Sequence, residues 1–263
     1  MHHETNMIHQ TAIVDPGAEI DADVDIGPYS IIGKDVSIGS GTRIGAHAVI
    51  TGKTSIGANN HIFHHVSLGE QPQDKKYADE PTTLEIGDEN VIREFCTFNT
   101  GTVQDKGKTV VGNRNWVMAY VHIAHDCAVG DDVILANCTQ LAGHVEIGDF
   151  AMLGGFTGIH QFCRVGAHAL TGVGSVVLSD VPPYVTCNGN SAKPFGINAE
   201  GLKRRGFAGE SIRTIRQAYK VLYRSSLSLE EAKEKISQMV KDASELAILS
   251  DFLSSSLSRG IIR

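Results

Sequence analysis

The chain has 263 residues, of which 41% are apolar and 6% aromatic, with 28 glycines and a formal net charge of −7. This much apolar content excludes a disordered chain, and the negative charge excludes a nucleic-acid binder. No apolar run reaches the ~18 residues of a membrane span, and no secretory signal is visible. Cys96, Cys127, Cys138, Cys163 and Cys187 form no CxxC pair and read as reduced thiols of a cytoplasmic protein.

From Ile8 an apolar residue recurs every six positions: Val14, Ile20, Ile26, Ile32, Ile38, Ile44, Ile50, Ile56, Ile62, Leu68. The phase returns at Ile86, Ile92 and Phe98. A second register runs from Val111 to Val177, broken only by Thr171. Period six fits neither a helix nor a hairpin meander; it fits a β-solenoid with three six-residue sides to a coil. The chain then makes roughly nine coils, a prism ~40–45 Å tall. Glycines such as Gly27, Gly39 and Gly45 follow the apolar residue and suit corners where φ is unusual and space is short.

Residues 69–85 and 99–109 are polar interruptions and read as loops thrown out from the prism, more often functional than decorative. After Val177 the repeat stops at Pro182-Pro183 and the pattern becomes helical. Asn198 suits an N-cap, Gly206 a stop, and Ser228 to Glu231 a capping box. The expected architecture is mainly β: a parallel β-helix over 1–190 and a helical domain over 191–263 that caps the strand edge.

Residues eighteen apart should share a column. His125, Gly143 and Gln161 form one column, and Asp126, His144 and Phe162 the next, with His160 above Ala142 and His122 on the His125 coil. The cluster is either a site or a chance gathering of a residue type that suits solenoid turns. As a site it offers an imidazole base with a carboxylate partner and a bare glycine amide for an oxyanion, with no Ser or Cys nucleophile. That set suits direct acyl transfer. Between Asn198 and Arg224 seven basic residues face two acidic ones. Arg213, Arg216, Lys220 and Arg224 fall near one helical stripe, which is either a solvated face or a dock for an acidic protein. Nothing in the sequence calls for a metal or cofactor.

The segments HIAHDC (122–127), LAGHV (141–145), IHQF (159–162), DVPPYV (180–185), EGLKRRGF (200–207) and QDKKYA (73–78) resemble those of the UDP-N-acetylglucosamine O-acyltransferases. These are hexapeptide-repeat transferases that begin lipid A biosynthesis. The resemblance covers nearly the whole chain. It implies a left-handed β-helix, a homotrimer with sites between prisms, and transfer of an (R)-3-hydroxyacyl chain from acyl carrier protein to the 3-hydroxyl of UDP-N-acetylglucosamine. Under it His125 is the base, Asp126 orients it, and the Gly143 amide holds the oxyanion. Gln73, Asp74, Lys76, His122, His144, His160 and Gln161 position substrate, while Asn198, Glu200, Arg204 and Arg205 contact the nucleotide end.

The resemblance also marks the column Asn137, Gly155, Val173, Ser191 as the far end of the acyl groove. Val173, where long-chain members carry glycine, implies an acyl chain shorter than about fourteen carbons, each lost methylene being worth ~0.8 kcal/mol. Asn99-Thr100 departs from the family, whose members often carry His-Arg there. Two rival activities use the same residues: transfer to the 3-amino analogue of the sugar, and a zinc carbonic anhydrase with three histidine ligands.

Overall fold

The computed structural model describes residues 7–255 and 259–263. Its body is a left-handed parallel β-helix with three flat faces. Among the described residues, face one holds nine strands, from Ile13–Val14 to Val176–Val177, and face two eight, from Glu19–Ile20 to Arg164–Val165. Face three holds ten, from Asp25–Ile26 to Lys193–Ile197. The eighteen-residue register is the observed one: Ile123 pairs with Leu141, and Leu141 with Ile159. The inward residues of face one (Ile32, Ile50, Leu68, Phe98, Ile123, Leu141, Ile159, Val177) are all at most 3% exposed. Each buried aliphatic side chain contributes roughly 1.5–3 kcal/mol. Thr171 interrupts the apolar series yet is buried. Its hydroxyl accepts from Gly154 N at 3.0 Å and lies 2.9 Å from Thr157 Oγ1, so it carries no unpaired polar group into the core.

The corners separate two requirements that the pattern assigns to one glycine. The glycine after the apolar residue serves space: a Cβ on Gly45 would lie 2.6 Å from His64 N. The left-handed conformation falls two residues later, on Tyr29, His47, His65, Phe95, Tyr120, Asp126, His144 and Phe162, at φ between 57° and 65°. Such a residue costs roughly 1–2 kcal/mol, least for Asp and His. Rings at these corners stack on the next coil, as Phe95 does on Tyr120 at 4.8 Å between centroids.

The excursions span 71–82 and 100–107, narrower than composition suggests, because strands Ser67–Glu70, Thr83–Ile86, Thr97–Asn99 and Lys108–Val111 run to their edges. Both leave the edge between faces one and two. Lys53 pairs with Thr83, thirty residues on, and Thr83 with Lys108, twenty-five on, so the insertions are twelve and seven residues. Twelve preserves the six-residue phase; seven shifts it by one, which is the shift at Val111.

The last coil is shorter. Leu170 and Thr171 pair with Thr186 and Cys187, sixteen residues on, and Val176 bridges Asn190, fourteen on. Asn137, Gly155 and Val173 keep their column, but Ser191 does not stack on Val173 as the eighteen-residue rule expects. An antiparallel hairpin, Val185–Asn188 with Lys193–Ile197, extends face three past residue 190.

Among the described residues four α-helices follow: α1 (Ala199–Arg204), α2 (Gly209–Tyr223), α3 (Leu229–Met239) and α4 (Ala247–Ser254). Asn198 caps α1 by accepting from Gly201 N at 3.1 Å, and Ser228 with Glu231 forms a reciprocal capping box on α3. Leu202, Ile215, Leu222, Ile236, Leu249 and Leu253 build their own core around Tyr184, while Tyr219 and Ile262 pack against the solenoid core. Arg164 pins the two parts together. Its amide and guanidinium donate to the buried Asp180 at 2.9 and 3.1 Å, and it lies 4.4 Å from the Phe252 ring centroid.

His168 lies at the same junction, 8% exposed, between the rings of Phe150 (4.9 Å) and Tyr184 (5.6 Å). Burial first, and the Arg205 charge second, push its pKa down to about 4. The unfolded chain protonates this histidine near pH 6.5 while the native state keeps it neutral. Its contribution to stability is therefore full above about pH 6.5 and falls as the pH drops toward 4. A His168→Phe variant should lose about 3 kcal/mol less stability than wild type between pH 7 and pH 4 in urea melts. Equal losses in the two proteins would contradict this.

Candidate active site

The register sets His125 and Asp126 at the edge between faces one and two, on the turn from His122–Ile123 to Ala128–Val129. Gly143 and His144 stand one coil on, Gln161 and Phe162 two coils on. Asp126 is fully buried, and its Oδ2 lies 2.9 Å from His125 Nδ1. Thr102 closes the other side: its amide donates to both carboxylate oxygens at 3.0 and 3.1 Å, and its hydroxyl to Oδ2 at 2.6 Å. Burial opposes ionisation, but the His125 ring and the two Thr102 donors outweigh it and hold the Asp126 carboxyl below the usual range. An ionised Asp126 keeps the proton of a neutral His125 on Nδ1 and leaves Nε2 as a base.

A Cβ on Gly143 would fall 2.6 Å from His125 Cε1 and 2.7 Å from Nε2. Only glycine lets the imidazole stand against the backbone of the next coil. The Gly143 amide donates to no described residue, so an uncommitted N–H sits beside the base. His144 stands edge-on to His125 at 4.9 Å and stacks on Phe162 at 4.3 Å, with Nδ1 2.7 Å from Asp105 Oδ2. His122 Nδ1 lies 2.8 Å from Thr97 Oγ1, and burial lowers its pKa. His160 Nδ1 lies 3.0 Å from the Gln161 carbonyl.

Donor atoms of His125, Asp126 and His144 fall within 4.8 Å of one another, close enough to share a cation. Asp126, however, already accepts three hydrogen bonds from Thr102 besides its contact with His125, and a cation would have to displace them. His122 and His160 do not join that group.

Other expected residues make no hydrogen bond with the His125 cluster among the described residues. Gln73, Asp74 and Lys76 lie on the first excursion, where Asp74 Oδ1 accepts from Lys76 N at 2.9 Å. Tyr77 and Glu80 border a cavity of about 1070 Å³ shared with Gly17, Lys34 and Lys53, toward the N-terminal coils. Glu200 and Arg204 are exposed on α1. Arg205 donates to the Phe150 carbonyl at 2.8 Å, at the edge between faces two and three. Asn198, expected at the nucleotide, is buried with both side-chain groups engaged: it caps α1 and donates to the His168 carbonyl at 3.0 Å.

The second excursion holds what the sequence reading missed, Thr102 and Asp105. The available signal was its exit from the same edge one coil before His125. Asn99 and Thr100 tie the excursions together, Asn99 donating to the Gln71 carbonyl at 2.8 Å and Thr100 Oγ1 lying 3.2 Å from Thr82 Oγ1.

Comparison with known proteins agrees with this geometry. A family model described as bacterial transferase hexapeptide (six repeats) matches residues 17–52 and 108–143. One described as UDP N-acetylglucosamine O-acyltransferase, domain 2, matches residues 180–262. An acyl-[acyl-carrier-protein]–UDP-N-acetylglucosamine O-acyltransferase of Thiobacillus denitrificans is 65% identical over 97% of this chain and 99% of its own. The crystal structure of the UDP-N-acetylglucosamine acyltransferase of Francisella novicida superposes with a TM-score of 0.96 at 45% identity, covering 98% of this chain and 94% of that one. That of the Moraxella catarrhalis UDP-N-acetylglucosamine O-acyltransferase gives 0.95 at 45% identity, covering 97% and 99%. Fold and edge together define a hexapeptide-repeat acyltransferase. Within that class, the chain belongs to the UDP-N-acetylglucosamine O-acyltransferase family.

Proposed function

We propose that this enzyme transfers an (R)-3-hydroxyacyl chain from acyl carrier protein to the glucosamine 3-hydroxyl of UDP-N-acetylglucosamine, the first step of lipid A biosynthesis. The reading rests on the buried Asp126–His125 pair beside the free Gly143 amide, in a chain 65% identical to an enzyme named for these substrates. His125 Nε2 takes the 3-hydroxyl proton as the oxygen attacks the thioester carbonyl. The oxyanion forms against the Gly143 amide, the C–S bond breaks, and the departing thiolate takes the proton back from His125. Asp126 stabilises the imidazolium in between. His122, His144, His160 and Gln161 line the path of sugar and thioester. The relatives are named O-acyltransferases, which favours an ester over the amide that the 3-amino sugar would give.

The active unit is a homotrimer in which a neighbouring copy completes each site. Two observations support this. Among the described residues, Glu200, Arg204, Gln73, Asp74 and Lys76 make no hydrogen bond or ion pair with the His125 cluster of their own chain. A ladder of Tyr29, His47, His65, Phe95 and Tyr120 leaves Tyr29 59% and Tyr120 55% exposed, an aromatic stripe suited to a second copy. No helix among the described residues is long and apolar enough to cross a membrane. Five free cysteines suit the reducing cytoplasm, where we take the enzyme to act. On α2 and at its C-cap, Arg213, Arg216, Lys220 and Arg224 are exposed opposite buried Ile215, Ala218 and Leu222, a basic stripe fitted to acidic acyl carrier protein. Val173, 78% exposed across face one from Gly143, blocks the end of the acyl path; Ser191, out of its column, does not.

Acyl transfer from a series of 3-hydroxyacyl carrier proteins to UDP-N-acetylglucosamine tests the assignment. His125→Ala should lower kcat by about 10²–10⁴-fold, and an unimpaired variant would remove His125 as the base. In the same assay, Val173→Gly should move the preferred donor toward longer chains by about two methylenes, worth roughly tenfold in selectivity. A fixed preference would exclude Val173 as the stop. Arg216→Glu combined with Lys220→Glu should raise KM for acyl carrier protein about tenfold or more at low salt while leaving the KM for the nucleotide sugar unchanged. An unchanged KM for the carrier would place its dock elsewhere.

A further inference from the structure

The 100–107 excursion does more than loop out. Thr102 holds Asp126, and three residues later Asp105 Oδ2 lies 2.7 Å from His144 Nδ1. Between them Asp126 Oδ2 stands 2.9 Å from His125 Nδ1 and 3.8 Å from His144 Nδ1. The two imidazoles meet edge to face at 4.9 Å, and the His144 ring is fixed on its other side by Phe162. Each ring is therefore paired through Nδ1 with its own aspartate. One aspartate comes from the coil and one from the excursion. The excursion is anchored beyond Asp105 by Lys106 Nζ, which donates to Glu146 Oε1 at 2.7 Å.

We propose that Asp105 is a positioning residue. It fixes His144 with the proton on Nδ1 and turns Nε2 toward the substrate beside His125, making a second Asp–His pair at the same edge. The inference rests on the reading of His144 as a substrate-positioning group. The chemistry follows from the acceptor-only nature of a carboxylate: it takes a hydrogen bond from Nδ1–H, so a neutral ring presents an Nε2 lone pair outward, able to accept from a sugar hydroxyl. Without Asp105 the ring is free to rotate and to exchange tautomers, and the hydroxyl it receives loses its fixed partner. The seven-residue insertion thus supplies the support for both rings, Thr102 through Asp126 and Asp105 directly.

The test compares Asp105→Ala, Asp105→Asn and His144→Ala in the full-length enzyme, with ¹⁵N spectra of the histidine rings beside the kinetics. Asp105→Ala should lower kcat/KM by about 10–100-fold, the loss of one charge-assisted hydrogen bond. Asp105→Asn, which keeps an acceptor oxygen, should lose less, and melting temperatures should stay within a few degrees of wild type. The His144 resonances should show Nδ1 protonated in wild type and a mixture of tautomers in Asp105→Ala. In a His144→Ala background, removing Asp105 should cost little more, because the two residues act through one contact. Unchanged His144 ring resonances in Asp105→Ala would overturn the inference, as would full additivity of the two substitutions. If His144→Ala retained wild-type activity while the tautomer shift still occurred, the reading of His144 as a substrate-positioning group would fail instead, and Asp105 would have no part in the reaction.

Discussion

Backbone hydrogen bonds between successive coils, such as Ala124 N to Leu141 O and Ala142 N to Ile159 O, both 3.1 Å, set the height of every residue in this prism. The strands are mostly two residues long and have no stability of their own. They persist because every strand inside a face is paired on both sides and because the inward side chains form apolar columns broken only at Thr171. The spacing of ~4.8 Å between coils then becomes the ruler for the active edge. It is why an imidazole on one coil can lie against a glycine on the next, and why two side chains eighteen residues apart behave as neighbours.

That constraint explains how a buried carboxylate is tolerated at the edge. Asp126 would be costly without partners. The turn geometry supplies the His125 ring from the adjacent residue, and the excursion one coil earlier supplies Thr102. Together the His125 ring and the donations from Thr102 keep the carboxylate ionised against its burial. The polar network is therefore complete before substrate arrives, which is the condition for a fixed tautomer at His125.

Much of this was legible because a solenoid turns sequence distance into spatial distance. The apolar hexads gave the faces, and the eighteen-residue column correctly joined His125 to Gly143 and Asp126 to His144. The arithmetic failed where the coil length changed. Ser191 left its column because the last coil has sixteen residues and then fourteen. Thr102 and Asp105 escaped because an inserted loop has no column of its own. Asn198 was correctly read as a cap. The same side chain also donates to the His168 carbonyl, which ties the cap of α1 to the last full coil. The corner glycines were read for both φ and space, and at Gly45 it is space that glycine supplies. The left-handed turn lies two residues on, at Tyr, His, Asp and Phe, types whose αL conformation composition does not announce.

The two excursions also bear on how such a chain tolerates change over generations. An insertion at the edge between faces one and two adds length to a turn while the strands on either side keep their partners, as Lys53, Thr83 and Lys108 do across insertions of different size. The entropic cost of lengthening such a loop grows only slowly with its length. Gene variants with longer or shorter loops at this edge can therefore arise without refolding the prism beneath. The edge is a place where loop length can change while the scaffold stays still, and diversity among relatives should gather there as differences in length, with the faces between corners nearly constant in residue count.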